Sequence, residues 1–150
     1  LTRMPAPIGT QICIAELFTD LKKLFPEEEF QFEVPSPELK LNVDRTQIEQ
    51  ILINLLKNAR EACSRKSDKK IQVKARKLSA GNTTLTISDN GEGILPDVLD
   101  KIFVPFFTTK TSGSGIGLSL CKQIMTLHEG SINVKSEVGK GSSFILTFPK

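Results

Sequence analysis

Thr84-Leu85-Thr86-Ile87-Ser88-Asp89-Asn90-Gly91-Glu92-Gly93 alternates apolar and polar residues as far as a carboxylate and then breaks into glycines. Side chains of a strand point alternately to opposite faces, so Leu85, Ile87 and Asp89 share one face, and the apolar pair marks it as the core side. A carboxylate there is costly unless it takes up a proton, or unless a ligand or ordered water donates hydrogen bonds to it. The exocyclic amine of a nucleobase is such a donor. The glycines that follow permit positive φ and let backbone approach a flat ligand. By itself Asp-Asn-Gly also reads as a plain turn after a strand.

Downstream, Pro96 suits the first turn of a short helix over 96–103. Residues 104–114, Val-Pro-Phe-Phe-Thr-Thr-Lys-Thr-Ser-Gly-Ser, have neither helical nor strand period and predict a lid, aromatic at one end and polar at the other. Phe106 and Phe107 either anchor that lid or act as hinge residues tucked into the core. Lys110 either reaches phosphates from the lid or is solvated. A second glycine cluster, Gly113-Ser114-Gly115-Ile116-Gly117-Leu118, opens a helix over 115–127. Unpaired backbone N–H groups and the positive end of the helix dipole make such a turn a phosphate site. His128 lies past that helix's end, where a cation is favoured; the spacing predicts a structural role there, not a catalytic one. Strands over 131–137 and 142–148 close the chain around a Val138-Gly139-Lys140-Gly141 turn, with Phe144, Leu146 and Phe148 on one face.

Upstream, Ile14, Leu17, Phe18, Leu21, Leu24 and Phe25 recur at helical spacing and predict an amphipathic helix over 14–25, stopped by Pro26. A strand over 29–34 ends at Pro35-Ser36-Pro37, and residues 39–43 are expected to pair beside it. Asp44 is a good N-cap for a long helix over 45–63 with Ile48, Ile51, Leu52, Leu55 and Ala59 in its apolar stripe. Asn54, Asn58 and Glu61 form a polar row on its flank. Asparagine is a middling helix former, so the pair is not there for propensity. Its amide oxygen suits magnesium, which takes few protein ligands beside water and phosphate; a solvated helix edge or a pair capping a neighbouring loop remain open readings. Strands over 71–78 and 84–89 form a hairpin across Ser79-Ala80-Gly81-Asn82, with Ile71, Val73 and Ala75 inward and Gln72, Lys74 and Arg76 in water.

At 150 residues, 39% of them hydrophobic, the chain is expected to form a single domain with a sizeable core. A net charge of +3, mild and dispersed, with no Trp or Tyr for stacking, argues against nucleic acid. The basic run Ser64-Arg65-Lys66-Ser67-Asp68-Lys69-Lys70 reads as a solvated connector between a helix and a strand. Three cysteines, Cys13, Cys63 and Cys121, are too dispersed for a metal motif and too odd in number for a disulfide framework, which fits a reducing cytoplasmic setting. No apolar run reaches the roughly 18 residues a membrane helix needs. The first residue is Leu, which fits a domain cut from a longer protein. Gly113, Gly115 and Gly117 do not match the dinucleotide fingerprint, and no apolar strand runs into them. Gly139-Lys140-Gly141 is not a P-loop.

Taken in order, these segments resemble the ATP-binding catalytic domain of sensor histidine kinases, of the superfamily shared with gyrase-type ATPases and heat-shock-90-type chaperones. Glu-Gln-Ile-Leu-Ile-Asn-Leu-Leu-Lys-Asn-Ala-Arg-Glu-Ala over 49–62 is similar to the N box, and Asp89-Asn90-Gly91-Glu92-Gly93 to the first glycine box. Ile-Phe-Val-Pro-Phe-Phe-Thr-Thr-Lys over 102–110 resembles the F box, 113–118 the second glycine box, and Gly139-Lys140-Gly141-Ser142-Ser143-Phe144 the last glycine motif. Each is weak alone; their shared order is the strong signal.

The resemblance implies a two-layer α/β sandwich of the Bergerat type, a mixed, mostly antiparallel sheet covered on one face by three helices. It implies that Asp89 receives the adenine amine, that Gly91, Gly93, Ile94 and Phe103 shape the nucleotide pocket, and that Asn58 holds magnesium. Asn54 and Lys110 would act on the phosphate side, with Gly113, Gly115, Gly117 and Leu118 at the phosphates. ATP and Mg2+ are the implied cofactors and phosphoryl transfer the implied chemistry. The water-activating ATPases carry a glutamate where this chain has Asn54, and an amide is no general base at neutral pH, so transfer to a protein is expected over hydrolysis. Glu61, one helical turn beyond Asn58, is a possible substitute base. Alternatives are a serine-directed kinase or ATPase of the superfamily, or a nucleotide-binding regulatory module. The implied partners are a dimerisation and histidine-phosphotransfer domain of the same protein, with no counterpart in these residues, and a response regulator. The full-length protein is expected to be a homodimer, anchored in a membrane or free, with this domain cytoplasmic, touching neither membrane nor nucleic acid.

Overall fold

A computed structural model describes residues 5–107 and 117–150. Strand β1 (Thr10–Cys13) runs without a turn into helix α1 (Ile14–Leu24); β2 (Phe30–Glu33) and β3 (Lys40–Val43) follow, then α2 (Arg45–Ala62), the β4 (Ile71–Lys77) and β5 (Thr83–Asp89) hairpin, and the single turn α3 (Pro96–Leu99). Helix α4 (Gly117–Leu127) and the hairpin of β6 (Ser131–Glu137) and β7 (Gly141–Phe148) complete the chain. Five strands form a mixed sheet in the order β2-β4-β5-β7-β6, antiparallel except where β2 runs parallel to β4.

Alternation decides which face is covered. In β4 and β5 the residues Ile71, Val73, Ala75, Leu85 and Ile87 are buried, while Lys74 and Arg76 are exposed. Helices α1, α2 and α4 lie on the buried face, and Ile48, Ile51, Leu52, Leu55 and Leu56 of α2 are almost wholly out of water. Each such side chain is worth about 1.5–3 kcal/mol, and α2 contributes more of them than either of the other two helices. This is the two-layer sandwich expected from the sequence.

Helix α2 starts where expected: the Asp44 carboxylate accepts the N–H of Gln47 at 3.2 Å, and its other oxygen accepts that of Ile8 at 3.0 Å. Other expectations are corrected. Residues 39–43 do not pair beside the strand at 29–34; β3 pairs antiparallel with β1, an element the sequence did not suggest, in a separate two-stranded sheet. Pro35 and Pro37 lack the N–H groups that a tight turn back would use, so the chain leaves β2 for good. The helix expected over 96–103 ends at Leu99, and the chain proceeds through three-residue turns from Lys101 to Val98, Val104 to Lys101 and Phe107 to Val104. Phe106 is not tucked into the core: it is 62% exposed, with φ of +67°.

His128 fills the structural role expected of it. Its Nε2 accepts the backbone N–H of Asp44 at 3.1 Å, which leaves Nδ1 to donate to the carbonyl of Ile124 at 2.9 Å. These two bonds tie the end of α4 to the start of α2.

Candidate nucleotide site

Strand β5 is the middle strand of the sheet, and it delivers Asp89 between Ile71 of β4 and Ser142 of β7. The carboxylate is half-buried, and burial pushes its pKa up; the N–H groups of Gly91 and Ser142, hydrogen-bonded to it, pull it part of the way back. The Gly91 bond is 2.8 Å long. Two backbone donors do not fill the acceptor capacity of a carboxylate, so a donor from a ligand amine has a place to bind.

The loop after Asp89 is clamped on both sides. The N–H of Glu92 donates to the carbonyl of Ala62 at the end of α2, and a β-carbon on Gly91 would stand 2.5 Å from that same oxygen. On the other side Gly93, with φ of +78°, lies against the carbonyl of Glu137 so closely that a β-carbon would overlap it. Here glycine answers to close approach as well as to backbone conformation. The side chain of Asn90 adds a third tie, accepting from the N–H of Lys70 at 2.9 Å and donating to the carbonyl of Asp68 at 2.8 Å. The basic connector is thereby fastened to the loop.

On α2, Asn58 Nδ2 donates to Asn54 Oδ1 at 3.3 Å, and both residues are half-buried. Gly117, the first residue of α4, abuts Asn54: a β-carbon there would overlap the Asn54 amide. Asn54 therefore faces the beginning of α4, where backbone N–H groups lack helical partners. The carboxamide oxygen of an asparagine is a ligand type that suits magnesium carried with phosphates, a metal that asks for few protein ligands. The described residues contain no cluster of three His, Cys, Asp or Glu side chains fit to hold a metal without such help.

Of the other expected site residues, Ile94 and Leu118 are half-buried and pack on the core. Phe103 is half-buried beneath Lys122, whose Nζ is 5.8 Å from the ring centre. Glu61 is exposed on the last turn of α2. Lys110, Gly113 and Gly115 lie outside the described residues. The sequence reading missed Ser136 and Ser142. Both stand in the inward phase of their strands, Ser136 after Ile132 and Val134, Ser142 before Phe144, Leu146 and Phe148. A serine in phase with core residues is the same signal that marked Asp89.

The chain belongs to the family described as histidine kinase-, DNA gyrase B-, and HSP90-like ATPases, whose model matches residues 43–150, and ATP binding comes with that membership. Its relatives within that family include sensor histidine kinases. It is 39% identical over 110 residues to the sensor histidine kinase ZraS of Salmonella typhimurium, covering 73% of this chain and 23% of that protein. With the signal transduction histidine-protein kinase AtoS of Escherichia coli it shares 42% over 109 residues, covering 73% and 18%. The chain thus spans less than a quarter of the length of these relatives. Among solved structures, the nucleotide-free catalytic domain of histidine kinase ThkA matches with a TM-score of 0.83 at 35% identity, covering 95% of this chain and 96% of that one. A complex of ThkA with the response regulator protein TrrA matches at 0.76 and 31%, covering 95% and 42%.

Proposed function

We propose that the chain binds ATP with magnesium and presents the γ-phosphate to a histidine on a separate dimerisation domain of a longer, homodimeric sensor kinase, which then passes it to a response regulator. The observation that carries this reading is the half-buried Asp89 at the end of the middle strand, framed by clamped glycines, together with the asparagine pair of α2, whose Asn54 abuts the start of α4. The chain is read as one cytoplasmic domain; among the described residues no helix is long and apolar enough to cross a membrane.

In this reading Asp89 accepts the purine amine, with Gly91, Gly93, Ile94 and Phe103 around the base. Asn58 supplies the magnesium ligand, and Asn54 orients the Asn58 amide and borders the phosphates. Gly117 and Leu118 bring the N-terminus of α4 to the phosphates, and Lys110, Gly113 and Gly115 are assigned to the phosphate side as well. Magnesium, when bound, offsets the charge of the phosphates being separated. Asn54 cannot take a proton from water at neutral pH, so a histidine nitrogen brought from outside serves as the nucleophile. Placing Glu61 at an exposed position on the last turn of α2 gives no support to it as a substitute base.

Incubation of the chain with γ-labelled ATP and the parent kinase's acceptor domain tests the reading. Label that is acid-labile and base-stable on the acceptor is expected. Base-labile, acid-stable label would point to serine, and ATP binding without transfer would contradict the kinase reading.

A further inference from the structure

Between the glycine loop and the β6–β7 hairpin stands a hydroxyl to which no role has been given. Ser136 is half-buried, and its Oγ accepts the N–H of Ile94 at 2.7 Å, donates to the carbonyl of Gly141 at 3.1 Å and lies 2.8 Å from Oγ of Ser142. A hydroxyl has one proton and two lone pairs. With its proton on Gly141, Ser136 receives the Ser142 hydroxyl proton as well as the Ile94 N–H, and its capacity is filled. Every partner borders the nucleotide site. Ile94 follows Gly93; Gly141 packs on the carbonyl of Asp89; Ser142 donates its N–H to the Asp89 carboxylate. A backbone bond from Gly139 to Glu92, 2.9 Å, runs alongside but depends on no side chain.

The geometry points to Ser136 as a positioning residue for the base side of the site: its hydroxyl fixes the backbone of Gly93 and Ile94 relative to Asp89, so that the loop beside the purine and the carboxylate that receives its amine are held as one unit. The inference rests on the ATP-binding reading. Without the hydroxyl, Ile94 N–H loses its acceptor, and the loop must be ordered around the base at the expense of binding.

Calorimetric titration of ATP and of ADP, each with magnesium, into Ser136→Ala and Ser136→Thr tests it, with melting temperatures taken alongside. Ser136→Ala is expected to weaken both nucleotides by the same factor, roughly tenfold. Ser136→Thr keeps the hydroxyl on a residue that suits a strand and is expected to restore most of the affinity. Unchanged affinity in Ser136→Ala would overturn the assignment. So would a loss confined to ATP, which would move the effect to the phosphate side, or a threonine variant no better than alanine. An unsubstituted chain that binds neither nucleotide would instead sink the ATP reading itself, a result distinct from the other three.

Discussion

Gly141 lies so close to the carbonyl of Asp89 that a β-carbon there would overlap the oxygen, and its φ is +128°. Two residues far apart in the chain, one from the first glycine box and one from the last glycine motif, are thus held in backbone contact. Gly141→Ala is expected to cost about 2 kcal/mol or more in denaturant titration, because the clash is with backbone that cannot turn aside. Gly139, two residues earlier, has φ of +83° but nothing within 4 Å of its missing β-carbon. Its alanine variant should cost only about 1–2 kcal/mol, from conformation alone.

Asp89 sets function against stability. Burial holds its folded pKa above the ordinary 3.8, so its ionisation at neutral pH costs the nucleotide-free fold. That cost is absent below the unfolded pKa and is incurred as pH rises through the folded one. Asp89→Asn keeps an acceptor for Gly91 without the charge. The variant is expected to melt higher than the parent at neutral pH, and the gap should close as pH falls towards 3.8. Melting curves over that range check it.

Asp44 titrates with the opposite sign. The Ile8 N–H above all, and that of Gln47, hold its carboxyl below the ordinary 3.8, so its contribution is present above that value and lost as pH falls through the lowered one. Asp44→Ala removes the cap of α2 and the anchor of residue 8 together. A loss of about 0.5–2 kcal/mol in chemical unfolding at neutral pH is expected.

The thiols should separate cleanly under labelling. Cys13 is half-exposed, whereas Cys63 and Cys121 are buried. Burial pushes the Cys121 thiol up to about 12, and burial, with the Asp89 charge nearby, raises that of Cys63. Since the thiolate is the reactive form, one thiol of the folded chain is expected to react quickly with a maleimide and two only after unfolding, as mass spectrometry would count.

How much of this was legible in the chain depends on length of period. Strand β5 and helix α2 repeat their apolar pattern long enough to place Asp89 at the core side and Asn54 with Asn58 on one flank, and Asp44 marked the start of α2 to the residue. Strands β1, β2 and β3 are four residues each, too short for alternation to say which pairs with which, and the β1–β3 sheet went unforeseen. The contact of Gly117 with Asn54 joins two helices and has no local trace. Serines 136 and 142 did leave one, a polar residue in the inward phase, but the sequence reading used that signal only at Asp89. The structural place of His128 was legible from its position past a helix end, but its partner was not, because the N–H that the ring accepts comes from Asp44, distant in sequence.

The central claim is that a purine nucleotide binds through Asp89 with its metal-bound phosphates at Asn58. Calorimetric titration of ATP with magnesium into the unsubstituted chain, Asp89→Ala and Asn58→Ala tests it most directly. Saturable heat in the first, affinity lowered at least about tenfold in the second, and loss of the magnesium-dependent part in the third are predicted. No heat from the unsubstituted chain, or an Asp89→Ala variant that binds ATP as tightly as its parent, would contradict it.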